Sequence, residues 1–309
     1  MPRPDGTAMR LCADVGGSFV DLALVDEACA IVHRERHPTP TRDWDAFAAI
    51  FRAACERHAA CLDPHAPVAI ATAGLVDPDS GTITAANLPC LDRRPLAEAL
   101  APWIGRPVRV LNDADAFVLA EAGLGAARGH AHVFGIILGT GVGGGLVADG
   151  RVVTGRGGIG GEWGHGAAVT PSPRAPDANP VFDCGCGRRG CLDTIGSARG
   201  LERLHRFLHG TAASSHAITR AAEAGDPAAL ATQGYYCELV GGQLAMLLNT
   251  LPVTLVPVGG GLSHAHGLVA ALDRQVRAQM LAPTAYPLLV PSRLGGDAGL
   301  LGAALFAKS

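Results

Sequence analysis

Three cysteines crowd into one short segment, Cys184-Gly-Cys-Gly-Arg-Arg-Gly-Cys191, and this segment constrains the fold more than any other. The intervening glycines permit the tight turns that would aim all three sulfur atoms at one point. Zn²⁺ favours four tetrahedral sulfur or nitrogen ligands, and His165 is the nearest upstream imidazole. The sequence therefore predicts a closed structural zinc site made by His165, Cys184, Cys186 and Cys191. The alternative is a flexible loop of reduced cysteines.

Two acidic residues flank the predicted metal site, Glu162 on one side and Asp193 on the other. Ionised carboxylates only accept hydrogen bonds, so a pair of them suits a ligand that is rich in hydroxyl donors. A zinc site that holds two carboxylates over a pocket suggests a sugar-binding site. Taken singly, each acid is better explained as a solvated surface charge.

Composition narrows the class of protein. A chain of 309 residues can bury a large core and is expected to form two lobes. With 25 Lys and Arg against 28 Asp and Glu, the formal net charge of −3 favours neither nucleic acid nor an anionic membrane as a partner. Because Lys308 is the only lysine, a ligand phosphate must be held by backbone N–H groups, arginine, helix ends or a metal.

Cysteine usage and hydropathy predict the compartment. The nine cysteines are an odd number, and the six outside the loop are scattered among apolar residues, as in a reducing environment. The sequence has no hydrophobic signal core at its start and no run of about 18 apolar residues. We expect a soluble cytoplasmic protein with no membrane partner.

The first glycine turn lies between two predicted strands. An apolar strand breaks at Gly16 and Gly17 and resumes as the alternating run 20–25, which predicts a hairpin. Its backbone could approach a phosphate, Ser18 could donate a hydrogen bond, and Asp14 could hold Mg²⁺ directly or through water. Alone, the pattern is better explained as an ordinary hairpin with an incidental aspartate.

The strand 108–111 delivers Asn112 and Asp113 to the start of a predicted helix, 114–123. Active sites collect at the carboxyl ends of such strands. A carboxylate here could accept the proton of an attacking hydroxyl while the amide orients the alcohol. The alternative is that one of the two residues only caps the helix.

Two upstream turns offer further substrate contacts. The buried strand that begins at Val68 ends in a small-residue turn at Gly74, and a later strand leads into a loop that contains Asn87. The Asn87 amide could contact a ligand hydroxyl, although an asparagine more often satisfies its own turn.

A second glycine run, 139–145, formally contains the dinucleotide-binding pattern G-x-G-x-x-G. That fingerprint must open a helix, whereas here a second apolar run follows and leads to Asp149-Gly150, which indicates a hairpin. A phosphate-cradling turn formed by Gly139, Thr140 and Gly141 therefore fits better than a dehydrogenase. A third turn, Gly259, Gly260 and Gly261, joins a strand to a helix and leaves room for a nucleotide.

Taken together, the motifs of the chain resemble, in order, those of the ROK family of sugar kinases and repressors. They are Asp14-Val-Gly-Gly-Ser, Leu111-Asn-Asp-Ala, Leu138-Gly-Thr-Gly-Val-Gly-Gly-Gly, Gly161-Glu-Trp-Gly-His, Cys184-Gly-Cys-Gly-Arg-Arg-Gly-Cys-Leu and Val258-Gly-Gly-Gly-Leu-Ser. The resemblance spans essentially the whole chain, and its most specific mark is the cysteine loop.

The resemblance implies an α/β fold of the actin-like ATPase (ribonuclease H-like) type, with two lobes and a central cleft for ATP and sugar. We expect one lobe from 1–117 and 295–309, and the other from 118–294 with the zinc loop. The family implies a cytoplasmic homodimeric kinase that uses Mg-ATP to phosphorylate a hexose, usually on O6.

Carried over residue by residue, the resemblance makes Asp113 the general base. It makes Gly74, Asn87, Asn112, Asp113, Glu162, His165 and Asp193 the substrate contacts, with His165 also on zinc. It makes Asp14, Gly16, Gly17, Ser18, Gly139, Thr140, Gly141, Gly259, Gly260 and Gly261 the nucleotide and phosphate contacts. Two residues depart from the family pattern, because Asp193 replaces a glutamate and Ser18 replaces a threonine.

Within the family, the chain looks most like the bacterial N-acetylglucosamine kinases, on the segment 85–89, the long proline-rich insertion before Cys184 and the ending from Gly296. Glucose, mannose, N-acetylmannosamine and fructose remain alternative substrates. A repressor is not expected, because only about ten residues precede the first strand. A non-catalytic sugar sensor is not expected either, since the predicted catalytic residues and glycine loops are all present.

Overall fold

The computed structural model describes residues 9–168, 180–282 and 284–308. These residues form two compact units. The first lies within Met1–Leu124, Gly150–Gly160 and Gly296–Ser309, and the second within Gly125–Asp149 and Gly161–Gly295. The lobe boundaries expected from the family remain a prediction. None of the described helices combines the length and apolar character needed to cross a membrane.

The strands follow the chain as β1 (Arg10–Val15), β2 (Phe19–Val25), β3 (Ile31–Pro38), β4 (Val68–Thr72), β5 (Leu75–Val76), β6 (Ile83–Thr84), β7 (Val108–Asn112), β8 (His132–Leu138), β9 (Val142–Ala148), β10 (Arg151–Val152), β11 (Val256–Gly259) and β12 (Leu289–Pro291). The α-helices are α1 (Trp44–Arg57), α2 (Leu96–Ile104), α3 (Asp113–Gly123), α4 (Asp193–Gly196), α5 (Ala198–His209), α6 (Ser215–Glu223), α7 (Pro227–Thr250), α8 (His266–Gln279) and α9 (Ala298–Phe306).

The first unit is built on a sheet with strand order β3-β2-β1-β4-β7. The β1–β2 and β2–β3 pairs are antiparallel, whereas β1–β4 and β4–β7 are parallel. Helix α9 packs against α3 at Gly302, where a Cβ atom would overlap the carbonyl group of Ala116. Glycine at 302 therefore allows α9 and α3 to pack with their backbones close together.

The second unit contains strands in the order β9-β8-β11-β12. The β8–β9 pair is an antiparallel hairpin, and β11 runs parallel to both β8 and β12. The central helix α7 begins at its N-cap Asp226 and buries Tyr235 and Tyr236 completely. The Tyr236 hydroxyl donates to the Gly196 carbonyl at 2.7 Å, which anchors α7 below the segment that follows the cysteine loop.

Both glycine hairpins predicted from the sequence form. Asp43 caps α1, where its side chain accepts a hydrogen bond from the Ala46 backbone N–H. Ser197 adopts an extended conformation and caps α5, so that α4 and α5 are separate helices.

Candidate active site and metal cluster

Asp14, on β1, occupies a tightly packed position in the first unit. It pairs in register with Asp21 of β2. Helix α9 presents Gly299 to its carboxylate, and a Cβ atom at Gly299 would lie only 2.6 Å from the Asp14 carboxylate carbon. Glycine is therefore required at 299 for Asp14 to keep this position.

The environment of Asp14 disfavours its charge. Burial, which is the largest cause, and the negative charges of Asp113 and Asp21 raise the pKa of Asp14 from 3.8 to about 7, against the opposing effect of Arg34 and Arg36. A buried carboxyl group with a pKa near 7 is suited to bind a cation, because the positive charge would stabilise its ionised form.

This shift predicts how stability depends on pH. The folded pKa of Asp14 lies above its unfolded value, so its contribution to stability is complete below pH 3.8 and is lost as the pH rises through about 7. We expect Asp14→Asn to raise the free energy of unfolding at pH 8 by up to about 4 kcal/mol, with little effect at pH 4. Urea denaturation of the ligand-free protein at both pH values measures the difference.

The matched control for this prediction is Asp79→Asn, which neutralises an exposed aspartate of the same unit. If Asp14→Asn and Asp79→Asn give the same pH dependence as the unsubstituted chain, the environment assigned to Asp14 is wrong.

Asn112 and Asp113 are joined by hydrogen bonds at the junction of β7 and α3. Asn112 caps α3, since its side-chain oxygen accepts from the backbone N–H groups of Ala114 at 2.8 Å and Asp115 at 3.1 Å. Its amide nitrogen donates to the Gly74 carbonyl at 2.9 Å and to Asp113 Oδ1 at 3.0 Å. Asn112 therefore caps the helix and also holds the Asp113 side chain, and the catalytic role of this pair stays a prediction.

These bonds use both amide hydrogens and two acceptor directions of Asn112. Its described contacts hold Asp113 in place, so its role as a direct sugar ligand stays a prediction. Gly74 has a positive φ of 104°, and a Cβ atom there would lie 2.6 Å from the Thr84 carbonyl oxygen. Asn87 is exposed and packs beside Gly17 of the first hairpin turn.

In the second unit, two of the predicted nucleotide turns lie against each other. Gly139 donates to the Gly141 carbonyl at 3.0 Å and closes the β8–β9 turn. Gly260 has a φ of 80°, and a Cβ atom there would lie 2.7 Å from the Gly139 nitrogen. Because the G-x-G-x-x-G segment forms a hairpin and opens no helix, the dinucleotide-binding interpretation does not fit the structure.

Asp193 connects the cysteine loop to this hairpin. Its Oδ1 atom accepts from the Val142 backbone N–H at 2.7 Å, and a Cβ atom at Gly141 would lie 2.9 Å from the same oxygen. The sequence contains no local signal for this link, because the two residues are 51 positions apart. Asp193 therefore has a structural partner, and its predicted sugar contact remains untested.

Glu162 precedes a short 3₁₀ turn, Trp163–His165, and His165 is the last residue of that turn. The Trp163 indole donates to the Gly143 carbonyl at 2.8 Å and fixes the turn on β9. The Glu162 carboxylate lies 3.7 Å from the Nε2 atom of His165. Burial raises the pKa of Glu162, His165 opposes the shift, and the negative charge of Asp193 adds to it.

The residues predicted to bind a metal do come together. The ligand atoms of His165, Cys184, Cys186 and Cys191 all lie within 4.8 Å of one another. His165 Nδ1 is 3.7 Å from Cys184 Sγ, and the Cys186 and Cys191 sulfur atoms are 3.7 Å apart. Tetrahedral zinc separates a sulfur and a nitrogen by about 3.6 Å and two sulfurs by about 3.8 Å, so the cluster fits such an ion.

The backbone explains how distant residues form this cluster. Ala168 donates to the Gly190 carbonyl at 2.9 Å, and Leu192 donates to the Gly166 carbonyl at 3.0 Å. This short antiparallel bridge places the segment of His165 beside that of Cys191. Within the loop, Gly187 and Gly190 adopt φ angles of 84° and 71°, as the tight turns predicted from the sequence require.

The thiols of the cluster differ in acidity. A backbone hydrogen bond from Arg188, with help from Cys184, lowers the pKa of Cys186 to about 7, whereas burial and the neighbouring thiols raise the pKa of Cys191 to about 12. Three thiols this close do not all ionise unaided. A divalent cation would stabilise all three thiolates together, which is the chemistry expected of a metal site.

The two α/β units, with glycine hairpins and an Asn-Asp pair at a strand end, have the architecture of an actin-like ATPase fold. A protein-family model, the ROK family, matches residues 10–309. The chain is 35% identical over 292 residues to the N-acetylgalactosamine kinase AgaK of Shewanella sp. (strain ANA-3), covering 94% of each chain. It is 33% identical over 298 residues to the N-acetyl-D-glucosamine kinase of Pasteurella multocida (strain Pm70), covering 96% of this chain and 98% of that one.

A solved structure supports the same relationship. The ROK family glucokinase from Streptomyces griseus, in complex with glucose and AMPPNP, is 28% identical, with a TM-score of 0.75, 97% coverage of this chain and 99% of that chain. The protein belongs to the ROK family and has the actin-like ATPase fold of its sugar kinases. The sequence-based recognition of the family is confirmed.

Proposed function

We propose that the protein is an ATP-dependent kinase that phosphorylates the 6-hydroxyl of N-acetyl-D-glucosamine in the cytoplasm, as a homodimer. Sugar kinase activity is the function of its named relatives, which align over nearly the whole chain. The observation that carries the proposal is the fixed carboxylate of Asp113 at the end of β7, held at 3.0 Å by Asn112. An oriented carboxylate at a strand end is the group that sugar phosphorylation needs.

Asp113 is proposed as the general base. Its Oδ1 atom accepts from the Asn112 amide and from the Ala114 backbone N–H at 2.9 Å. These donors orient the carboxylate before the sugar arrives. The carboxylate can then accept the proton of the attacking sugar hydroxyl, whose oxygen forms the bond to phosphorus. Mg-ATP, when bound, supplies the phosphoryl group and the divalent charge that stabilises its transfer.

Asp14 is proposed to hold the Mg²⁺ of the nucleotide, directly or through water. The donor type fits, because Mg²⁺ binds carboxylate oxygens and keeps several waters. Binding would return Asp14 to its ionised form against the burial that raises its pKa to about 7. Ionisation of buried Asp14 destabilises the ligand-free protein at neutral pH, and binding of the cation offsets this cost.

The phosphates are proposed to lie on backbone N–H groups. Lysine cannot serve, because the single lysine, Lys308, donates to the Glu27 carbonyl at 2.6 Å. The proposed contacts are the turns Gly16–Gly17–Ser18 in the first unit, and Gly139–Thr140–Gly141 with Gly259–Gly260–Gly261 in the second. Glycine at these positions lets the backbone approach an anion closely. The N–H groups of Gly16 and Gly139 already donate to the carbonyls of Phe19 and Gly141, so the proposed phosphate donors are the other N–H groups of these turns.

Glu162, His165 and Asp193 are proposed as sugar contacts of the second unit, and Gly74, Asn87 and Asn112 as those of the first. Zn²⁺ is proposed as the ion of the cysteine cluster. If it takes Nδ1 of His165, the Nε2 atom becomes a donor that faces Glu162, and the metal fixes this tautomer. The imidazole could then donate to a sugar hydroxyl.

N-acetyl-D-galactosamine is a second candidate substrate. The Shewanella relative is named as a kinase for this sugar and is 35% identical, a value between the 33% and 36% of the Pasteurella multocida and Yersinia pseudotuberculosis N-acetyl-D-glucosamine kinases. The two sugars share the acetamido group and differ only in the configuration at C4. An acetamido sugar is therefore favoured over glucose, mannose and fructose.

A panel of sugars tests the proposal. ADP release with Mg-ATP is measured for N-acetylglucosamine, N-acetylgalactosamine, N-acetylmannosamine, glucose, mannose and fructose. We expect N-acetylglucosamine to lead in kcat/KM by tenfold or more, which is about 1.4 kcal/mol of discrimination. A lead by N-acetylgalactosamine would change the assigned sugar, and sugar-independent ADP release throughout would contradict a sugar kinase.

A further inference from the structure

A second cluster of potential metal ligands lies in the first unit, away from every motif used above. Strand β3 is the terminal strand of its sheet. Side chains alternate along a strand, so His33, Glu35 and His37 share one face, while Arg34 and Arg36 point to the other. This alternation places one imidazole on each side of the Glu35 carboxylate, that of His33 and that of His37.

A third imidazole comes from α1. His58 is the C-cap residue of this helix, and its Nε2 atom lies 2.8 Å from Glu35 Oε1. The Nε2 atom of His33 lies 3.3 Å from the same oxygen, and the two imidazole rings are 5.1 Å apart. The three ligand atoms of His33, Glu35 and His58 lie within 4.8 Å of one another.

These separations suit one metal ion. Nitrogen and oxygen ligands at about 2.1 Å from an ion are about 3.0 Å apart at a right angle and about 3.4 Å apart at the tetrahedral angle. The observed distances of 2.8 Å and 3.3 Å from Glu35 Oε1 to His58 and His33 lie close to these values. Small side-chain rotations would therefore be enough to bind the ion.

The carboxylate is held with one oxygen toward the imidazoles. Arg57 donates to Glu35 Oε2, and His37 Nε2 lies 3.3 Å from that oxygen. Burial raises the pKa of Glu35, but hydrogen bonds from Arg57, His58 and His37 outweigh this effect and lower it to about 2. Glu35 is 15% exposed and His33 is 49% exposed, so an ion could enter from the solvent beside His33.

We propose that His33, Glu35 and His58 form a second metal site for a borderline divalent cation such as Zn²⁺ or Ni²⁺, with water completing the coordination. Imidazole nitrogen favours these ions over Mg²⁺, which prefers oxygen ligands. The ion would connect the edge strand β3 to the end of α1. Since the unfolded chain lacks this arrangement, binding would stabilise the folded protein.

Metal stoichiometry separates this site from the cysteine cluster. Each variant is dialysed against micromolar Zn²⁺, and bound zinc is measured by mass spectrometry. We expect two ions per chain for the unsubstituted protein, one for His33→Asn, one for Cys186→Ser and none for the double variant. His65→Asn, which changes an exposed histidine of the same unit, is the matched control and is expected to retain two.

A stability measurement with Ni²⁺ provides an independent readout. Ni²⁺ is expected to raise the Tm of Cys186→Ser by several degrees and to leave the Tm of the His33→Asn, Cys186→Ser double variant unchanged. Because His33 is largely exposed, its substitution should not prevent folding. Equal zinc content in the unsubstituted protein and His33→Asn, or an equal Ni²⁺ shift in both variants, would overturn the proposal.

Discussion

Asp113→Asn is expected to lower kcat for phosphorylation by roughly 10²–10⁴-fold, the usual contribution of a general base. The asparagine can still accept hydrogen bonds from Asn112 and Ala114, which hold the aspartate at 3.0 Å and 2.9 Å, so the local fold should survive. An amide cannot take the proton of the attacking hydroxyl. Steady-state kinetics and a sugar-binding titration are therefore expected to show a reduced kcat with nearly unchanged sugar affinity.

The control for this variant is Asp45→Asn, which removes an exposed carboxylate from the first turn of another helix, α1. It is expected to keep full activity. If Asp113→Asn also turned over at the unsubstituted rate, Asp113 could not be the general base, and the assignment of the β7–α3 junction as the catalytic centre would fail.

Of the proposed substitutions, Cys191→Ser is expected to cause the largest decrease in the free energy of unfolding. Cys191 is buried, and its sulfur is part of a four-ligand cluster in which all ligand atoms lie within 4.8 Å of one another. Loss of a structural metal belongs to the class of changes that cost about 4 kcal/mol or more. Urea denaturation should show this decrease, together with the loss of one zinc ion per chain.

A chelator provides the complementary test, since it should destabilise the unsubstituted protein much more than Cys191→Ser, which keeps only the ion proposed at His33, Glu35 and His58. Cys61→Ser, outside the cluster, is expected to resemble the unsubstituted protein. Zinc content and unfolding free energy that are both insensitive to Cys191→Ser would rule out a structural metal at this cluster.

Local patterns in the sequence predicted the elements that depend on neighbouring residues. The alternation of apolar residues around Gly16 and Gly141 identified both hairpins, and the spacing of the three cysteines identified the metal cluster. The Asn-Asp pair indicated either a helix cap or a catalytic position. Asn112 caps α3 and also holds Asp113, and the catalytic position stays a prediction. In each of these cases the relevant contacts lie close together in the chain or follow a well-defined motif.

Contacts between distant segments could not be predicted in this way. Gly299 lacks the Cβ atom that would overlap the Asp14 carboxylate, and Asp193 accepts a hydrogen bond from the Val142 N–H. No periodicity of the sequence relates the two residues of either pair. The short helices α2 and α6 were also missed, α2 because Pro102 lies inside it. These features arise from tertiary packing, which a single sequence does not encode in a local pattern.

The cluster at His33 shows the same limit. The alternation of His33 and Glu35 along β3 is visible in the sequence, but the third imidazole, His58, reaches them only because α1 ends beside that strand. The fold, more than the local pattern, creates this candidate site.

The position of the transferred phosphate is the most direct test of the proposed kinase activity. The protein is incubated with Mg-ATP and N-acetyl-D-glucosamine, and the product is examined by ³¹P–¹H correlation NMR. We predict a single sugar phosphate whose phosphorus couples to the two hydrogens at C6. A phosphate on the anomeric carbon, or ADP formation without any sugar phosphate, would contradict it.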